Sequence, residues 1–244
     1  MTDYVLVHGG FIGGWYWKAV ATLLEEQGHG VRVVEQMPSA GTDVSALGDL
    51  QADAACVRQV VDAASQPVVL VGHSYGGMVI TELADHPAVA HSVYVSAFWP
   101  QRGQALTDFL DVLPHWMTAR GDGTVAVTDD LEVARLALCA DVPRERAEQD
   151  LRRLVPQSLS SLGSPSTAPD RTHPTTYVVC EEDRAIPPQA QEQMAAAADH
   201  VERLRCSHQP MVAMPERLAA VLARAAQRSG SPARDLTIFA PTRS

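Results

Sequence analysis

The strongest local signal in the sequence is Val68-Val-Leu-Val-Gly-His-Ser-Tyr-Gly-Gly-Met78, where an apolar run leads into Gly-x-Ser-x-Gly around Ser74 and then into a helical pattern. A serine on a sharp strand-to-helix turn adopts strained backbone angles, and glycines two positions to either side remove side chains that would collide there. The helix that follows directs its N-terminal N–H groups at the same point. We therefore predict that Ser74 is held above a sheet edge as a nucleophile.

Short apolar and β-branched runs recur along the chain and predict buried strands. They lie at Tyr4–Val7, Val31–Val34, Val68–Val71, Ser92–Val95, Thr176–Val179 and Val201–Leu204. Helical patterns predict helices at Trp17–Gln27, Leu47–Ser65, Gly76–Asp85 and Pro215–Ala226. Alternation of strand and helix predicts an α/β fold with a mainly parallel central sheet and helices on both faces. The turn around Ser74 is typical of the α/β-hydrolase form of this fold.

The alternation stops after Trp99, and the next seventy residues favour helices. Amphipathic patterns occur at Leu106–Met117, Leu131–Ala140 and Arg144–Leu154. Residues 156–174 are rich in Ser, Pro and Thr, which is typical of a linker. We therefore predict a core of residues 1–99 and 172–228, an inserted helical cap or lid of residues 100–171, and a C-terminal tail of residues 229–244. Within the tail, Asp235-Leu-Thr-Ile-Phe239 is a candidate docking segment.

A serine hydroxyl needs a base, and the base needs a group that fixes its tautomer. In this fold the chain order is serine, acid, histidine. Glu181-Glu-Asp183 follows one predicted strand and His208 follows the last one. Because carboxyl ends of parallel strands meet at one rim of the sheet, we predict a triad of Ser74, Asp183 and His208. Glu182 is the alternative acid.

An oxyanion hole requires two backbone N–H groups aimed at the developing negative charge. The residue after the nucleophile, Tyr75, supplies one. The glycine-rich loop His8-Gly-Gly10-Phe-Ile-Gly-Gly14 follows the first predicted strand, and Gly10 is the candidate for the other. The loop lacks the Gly-x-Gly-x-x-Gly spacing of a dinucleotide site, although Glu35 ends the second strand as such a site would require.

Composition excludes several classes of protein. A chain of 244 residues with 46% hydrophobic and 20% charged residues is globular. A net charge of −10 disfavours nucleic acid as a partner. The N-terminal segment has no pattern of a leader peptide, and charged or glycine residues interrupt every apolar run, so we expect a cytoplasmic protein without membrane spans. The four scattered cysteines indicate neither a zinc site nor a disulfide framework, and we expect no metal or other cofactor.

Several blocks resemble the branch of α/β-hydrolases that contains plant methylesterases, hydroxynitrile lyases and bacterial esterases. They are Val5–Gly10 with Gly14–Trp17, Gly28–Val31, Gly72–Gly77, Glu182–Pro187, and Ser207–Pro210 with Pro215. The resemblance covers nearly the whole chain, and the cap matches loosely. It implies Ser74, Asp183 and His208 as the triad and the N–H groups of Gly10 and Tyr75 as the oxyanion hole.

The resemblance also separates this chain from the lyases of that branch. Those have Thr where Gly9 stands here and Lys where Gln209 stands here, and a cyanide leaving group needs that cation. We therefore expect a serine esterase that cleaves a methyl ester, an aryl ester or a lactone through an acyl-enzyme. A cofactor-free lyase or cyclase of natural-product biosynthesis, and a ligand receptor with little turnover, are the alternatives.

We expect the substrate to be a small, largely apolar molecule bound beneath the cap. The candidate pocket residues are Phe11, Phe98, Trp99, Phe109, Leu113 and Trp116. Each could equally belong to the packing of the cap itself. The sequence leaves the oligomeric state open.

Overall fold

The centre of the molecule is a six-stranded parallel sheet, seen here in a computed structural model that describes residues 2–229. In chain order the strands are β1 (Asp3–Val7), β2 (Gly30–Val33), β3 (Val68–His73), β4 (Val89–Val95), β5 (Met117–Ala119), β6 (Thr124–Val127), β7 (Gln157–Ser158), β8 (Thr175–Cys180) and β9 (His200–Leu204). The central sheet has the order β2-β1-β3-β4-β8-β9, and all its pairs are parallel. The fold class predicted from the sequence is confirmed, and each of the six predicted strands is present.

Helices cover both faces of this sheet. They are α1 (Lys18–Glu26), α2 (Leu50–Asp62), α3 (Gly76–Thr81), α4 (Leu131–Leu138), α5 (Arg144–Leu151), α6 (Leu159–Gly163), α7 (Pro188–Ala195), α8 (Pro210–Ala213) and α9 (Pro215–Gln227). In β1, Tyr4 and Leu6 pack with α1 and α9, whereas Val5 and Val7 pack with α2 and α3. This two-residue alternation between faces explains why both sets of side chains in a parallel strand are apolar.

The strand order places a switch point beside β3. The chain leaves β1 towards β2 at one edge and then returns to add β3 on the other side of β1. Ligands of open parallel sheets bind at the carboxyl ends of strands where the winding reverses in this way. The Gly-rich loop after β1 and Ser74 after β3 both lie at that point.

The segment of residues 100–171 differs from the helical cap predicted from the sequence, because it also contains strands. It contains a three-stranded antiparallel sheet in the order β5-β6-β7, together with α4, α5 and α6. The sequence Thr124-Val-Ala-Val127 is a β-branched run that supports this sheet, and Gly123 with φ +83° completes the turn before it.

Two further expectations for this segment were wrong. Leu106–Met117 is not a helix: a short 3₁₀ turn ends at Phe109, since Pro114 cannot continue a helix and Met117 begins β5. Residues 156–174 are not a plain linker, because β7 and α6 lie within them. The predicted tail, including Asp235–Phe239, lies outside the described residues except for Ser229.

Candidate active site

Ser74 occupies a strained turn between β3 and α3. Its φ is +53°, in the left-handed region that L side chains rarely adopt. Its carbonyl accepts the N–H groups of Gly77 at 3.0 Å and Phe98 at 3.1 Å, which fix the turn. A Cβ at Gly76 would lie 2.6 Å from the carbonyl oxygen of His8. The close approach of main chains around Ser74 therefore explains the glycine there.

Asp183 and His208 are joined by a buried hydrogen bond. The Nδ1 of His208 lies 2.7 Å from Oδ2 of Asp183, and both residues are almost fully buried. The other carboxylate oxygen, Oδ1, accepts the N–H groups of Ala185 at 2.7 Å and Ile186 at 3.0 Å. These bonds hold the carboxylate so that His208 carries its proton on Nδ1, which leaves Nε2 as the basic nitrogen.

Ser96 adds a third side chain to this pair. Its hydroxyl donates a short hydrogen bond to Oδ2 of Asp183 and lies 3.1 Å from Nδ1 of His208. Ser96 directly follows β4 and has φ +42°, so it is a second strained serine at the sheet edge. Gln191 of α7 also donates to Oδ2 of Asp183, at 3.0 Å. The Asp183 carboxylate is thus hydrogen-bonded by His208, Ser96, Gln191 and the backbone of residues 185–186.

Ser74 and His208 line the same cavity. The hydrogen bonds of residues 2–229 do not include one donated by the Ser74 hydroxyl, and bonds of this kind often form only when substrate is present. The cavity nevertheless gives the hydroxyl, the imidazole and a bound carbonyl carbon a common space. The arrangement is suited to transfer of a proton from Ser74 to Nε2 of His208.

The two proposed oxyanion donors lie at the wall of this cavity. Gly10 and Tyr75 both line it. Within the described part of the chain, the backbone hydrogen bonds outside helices and strands include none donated by either N–H group. Two N–H groups without a protein acceptor, beside a candidate nucleophile, are suited to an oxygen that develops negative charge.

Two buried histidines of the candidate site, His8 and His73, are held neutral. Burial lowers the pKa of His8 to about 4. Burial lowers the pKa of His73 well below its ordinary value, and the nearby charge of His208 lowers it further. The Nε2–H of His73 donates to the carbonyl of His208 at 2.9 Å, and the two rings are 4.7 Å apart. A neutral His73 therefore supports the backbone of His208 without a second positive charge beside it.

Apart from Gln157 and Gln209, the rest of the cavity wall is apolar. The side chains of its described lining include no Asp, Glu, Lys or Arg. Of the pocket residues predicted from the sequence, Phe11, Phe98 and Trp116 line it, and the rings of Phe11 and Trp116 meet edge to face.

The other three predicted pocket residues do not line this cavity, and for them the expectation is corrected. Trp99 and Phe109 line a neighbouring surface pocket, because Trp99 stacks on Tyr94 at 4.2 Å and is held outside the active-site wall. Leu113 is 42% exposed on the loop that the sequence suggested was helical.

Two other sequence-based candidates have clear positions. Glu182, the alternative acid, is exposed and pairs with Arg205 at 2.7 Å, away from His208. Gln209 lines the cavity directly after His208, so no cation occupies the position where the lyases have Lys.

Sequence reasoning missed three polar residues of the site: Ser96, Gln157 and Gln191. Ser96 contacts Asp183 from 87 residues earlier in the chain, and Gln191 contacts it from α7, eight residues later. Gln157 lies in a stretch that looked like a linker. The nearest available signal for Ser96 was its position directly after a predicted strand.

The chain matches a known protein family and named relatives. The model of the alpha/beta hydrolase family matches residues 4–221. The chain is 30% identical to a carbendazim hydrolyzing esterase of Nocardioides sp. (strain SG-4G), over 91% of this chain and 99% of that protein. It is 27% identical to methylesterase 1 of Arabidopsis thaliana, over 88% and 92% of the two chains.

A solved structure agrees with the sequence relatives. The crystal structure of a pyrethroid hydrolase from Sphingobium faniae JZ-2 superposes with a TM-score of 0.80 at 27% identity, and the match covers 95% of this chain and 98% of that one. Together these matches confirm the resemblance to the branch of methylesterases and bacterial esterases.

Proposed function

This chain belongs to the alpha/beta hydrolase family and is a carboxylic ester hydrolase, and we propose that Ser74 is its nucleophile, His208 its general base and Asp183 the acid that orients His208. The observation that carries this assignment is the buried 2.7 Å hydrogen bond between Asp183 and His208, in one cavity with the strained Ser74. Esterases among its relatives support the class of reaction.

The proposed reaction has two steps. Ser74 attacks the ester carbonyl while Nε2 of His208 takes its proton, and the resulting oxyanion is bound by the N–H groups of Gly10 and Tyr75. His208 then gives the proton to the departing alkoxide, which leaves an acyl-enzyme. Water, deprotonated by the same His208, attacks the acyl carbon and releases the acid. Asp183 stabilises the imidazolium that forms in each step.

The substrate we propose is a small, neutral and largely apolar ester or lactone. The cavity offers hydrogen-bonding groups near Ser74 and hydrocarbon elsewhere, and no charged side chain of the described lining would pair with an ionic substrate. An unpaired substrate charge in such a wall would lose hydration without compensation. The similar structure is that of a pyrethroid hydrolase, which is consistent with an apolar ester as the substrate.

The cap has a proposed role in this specificity. We propose the division into a core of residues 1–99 and 172–228 and a cap of residues 100–171, because Leu110, Trp116 and Leu138 of the cap segment line the cavity over Ser74. Side chains of the core carry out the reaction, and those of the cap segment line the space that binds the apolar parts of the substrate.

We also propose a cytoplasmic location. The four cysteines are free thiols, and three of them, Cys139, Cys180 and Cys206, are buried. Free thiols are typical of proteins in reducing compartments. In the described part of the chain, every helix is too short or too polar to cross a bilayer.

Replacement of the nucleophile tests the proposed function. We expect Ser74→Ala to lower kcat on short aryl esters by about 10⁴-fold or more and to abolish labelling by a fluorophosphonate, because the covalent intermediate is lost. Ser160→Ala, in the exposed part of α6, is the control and should keep both properties. Full turnover of a substrate by Ser74→Ala would instead indicate lyase or cyclase chemistry, and tight ligand binding without turnover in the wild type would indicate a receptor.

A further inference from the structure

Gln157 connects the cap to the loop that carries Gly10. The side chain is fully buried and belongs to β7. Its Oε1 accepts the N–H of Phe11, the residue directly after Gly10, at 3.1 Å. A Cβ added to Gly10 would lie 2.5 Å from the same Oε1. The cap amide therefore lies directly against the peptide that follows the proposed oxyanion donor.

Phe11 requires support from its surroundings. Its φ of +66° is in the left-handed region, which is unfavourable for a bulky side chain. The cap segment also holds its other backbone group, since the N–H of Val155 donates to the carbonyl of Phe11 at 2.9 Å. Gly10 has no side chain to restrict its own torsions. The direction of its N–H therefore depends on how firmly these two bonds hold Phe11.

Gln157 is itself fixed by a buried polar network. Its Nε2 donates to the hydroxyl oxygens of Ser161 at 3.0 Å and Ser39 at 3.4 Å. The N–H of Ser39 donates to Asp53, and Asp53 accepts the phenol of Tyr75 at 2.7 Å. Tyr75 carries the second proposed oxyanion donor. One network thus reaches both sides of the oxyanion hole.

We propose that Gln157 is a positioning residue for the oxyanion hole: through Phe11 it orients the N–H of Gly10, so that the cap contributes to transition-state stabilisation without touching the reacting atoms. This inference rests on the proposed ester hydrolysis. Because the oxyanion exists only during the reaction, loss of the Gln157–Phe11 bond should lower kcat and change KM little.

Gln157→Met tests the bond, because Met has a similar length and no comparable acceptor. We expect kcat to fall by about 10- to 100-fold, less than the loss on removing an oxyanion donor outright, with KM within about threefold. The affinity for an aryl boronic acid, which forms a tetrahedral adduct, should fall by the same factor, and that for the product acid should stay unchanged. Rates are expressed per active site, titrated with a fluorophosphonate to completion.

Ser158→Ala is the matched control. It removes a buried hydroxyl from the same strand, whose hydrogen bonds join it to Ser160 and the N–H of Ser161, and it leaves the bond between Gln157 and Phe11, so kcat should stay within about threefold of wild type. The inference is overturned if Gln157→Met keeps kcat within threefold, or if both variants lower kcat equally, which would indicate a general packing role. If Gln157→Met yields no titratable sites, Gln157→Asn, whose shorter side chain draws the acceptor away from Phe11, is judged by the same criteria.

A failure of the proposed function gives a different result. In that case wild-type protein would not hydrolyse esters, or Ser74→Ala would be as active as wild type, whatever the behaviour of Gln157. If only the role proposed for Gln157 is wrong, ester hydrolysis will still depend on Ser74. Gln157→Met will then leave kcat and the boronic acid affinity unchanged.

Discussion

At the scale of single residues, Asp183 is surrounded by hydrogen-bond donors, and both of its carboxylate oxygens accept from them. Only a carboxylate can accept on both sides in this way. Oδ2 accepts from His208, Ser96 and Gln191, and Oδ1 accepts from two backbone N–H groups. An amide at this position would present an NH₂ group to donors whichever way it turned. Beside His208, that NH₂ would force the imidazole to accept on Nδ1 and carry its proton on Nε2, where the base must be free.

We therefore predict that Asp183→Asn lowers kcat by about 10⁴-fold while KM changes little, because the wrong tautomer of His208 is favoured. Glu182→Gln is the matched control, since it makes the same chemical change at an exposed carboxylate paired with Arg205. Such surface pairs contribute little, so its kinetics should match those of wild type. Steady-state rates on an aryl ester measure both. A loss with Glu182→Gln as large as that with Asp183→Asn would transfer the role of the acid to Glu182.

At this scale, the sequence predicted the positions of Ser74, Asp183 and His208 because each follows a strand that is recognisable from its own residues. Ser96 and Gln157 could not be predicted in the same way. Ser96 gains its role from contact with Asp183 and His208, and Gln157 from contact with Phe11 146 residues earlier in the chain. Contacts of this kind are set by how the elements pack, which local patterns do not encode.

At the scale of helices and strands, the turn from β3 to α3 depends on its glycines, because neighbouring backbone approaches them closely. Gly77 packs against the segment that follows β4: a Cβ there would lie 2.3 Å from the carbonyl oxygen of Phe98 and 2.7 Å from the Cβ of Ala97. Both neighbours belong to a buried segment, so the backbone would have to move. The N–H of Gly77 also donates to Ser74.

We predict that Gly77→Ala lowers the free energy of unfolding by about 1–3 kcal/mol, through overpacking against Phe98. Gly121→Ala is the control: a Cβ there meets no atom within 4 Å, and its φ is not left-handed, so stability should stay within about 0.5 kcal/mol of wild type. Urea unfolding followed by circular dichroism measures both variants. Equal stabilities for the two would show that the segment around Phe98 yields to a methyl group.

The proposed cap of residues 100–171 shows where the prediction of helices and strands fails. Leu131–Leu138 and Arg144–Leu151 are helices as their periodicity indicated. The first has an apolar face, and in the second Ala147 and Leu151 lie one turn apart on the buried side. The strands β5, β6 and β7 have three, four and two residues, too short for a two-residue alternation to stand out. Their pairing is fixed by the turn at Gly123 and by contact of β7 with Ala40 of the core. The longer helices could therefore be predicted from the sequence, whereas the short strands depend on contacts with distant parts of the chain.

At the scale of the whole molecule, buried histidines make stability depend on pH. Burial lowers the pKa of His8 to about 4, of His91 to about 3 and of His173 to about 4, and it lowers that of His73 well below its ordinary value. Each is neutral in the folded protein and binds a proton near pH 6.5 once unfolded. Their contribution to stability is therefore complete above pH 6.5 and is lost as the pH falls from there towards the folded pKa values. Asp53, whose carboxyl pKa is raised by burial, acts in the opposite direction.

From pH 6.5 to pH 5.5 we predict a loss of about 1 kcal/mol for each of these four histidines, or about 4 kcal/mol in total, which is a large part of the stability of an ordinary domain. Urea unfolding at a series of pH values measures the loss. His91→Gln removes one titrating ring and retains a polar group beside Thr176, so the loss over this interval should shrink by about 1 kcal/mol. A wild-type stability that stays constant between pH 6.5 and 5.5 would show that these rings bind protons in the folded protein as readily as in the unfolded one. The neutral state inferred for His73 would then be wrong.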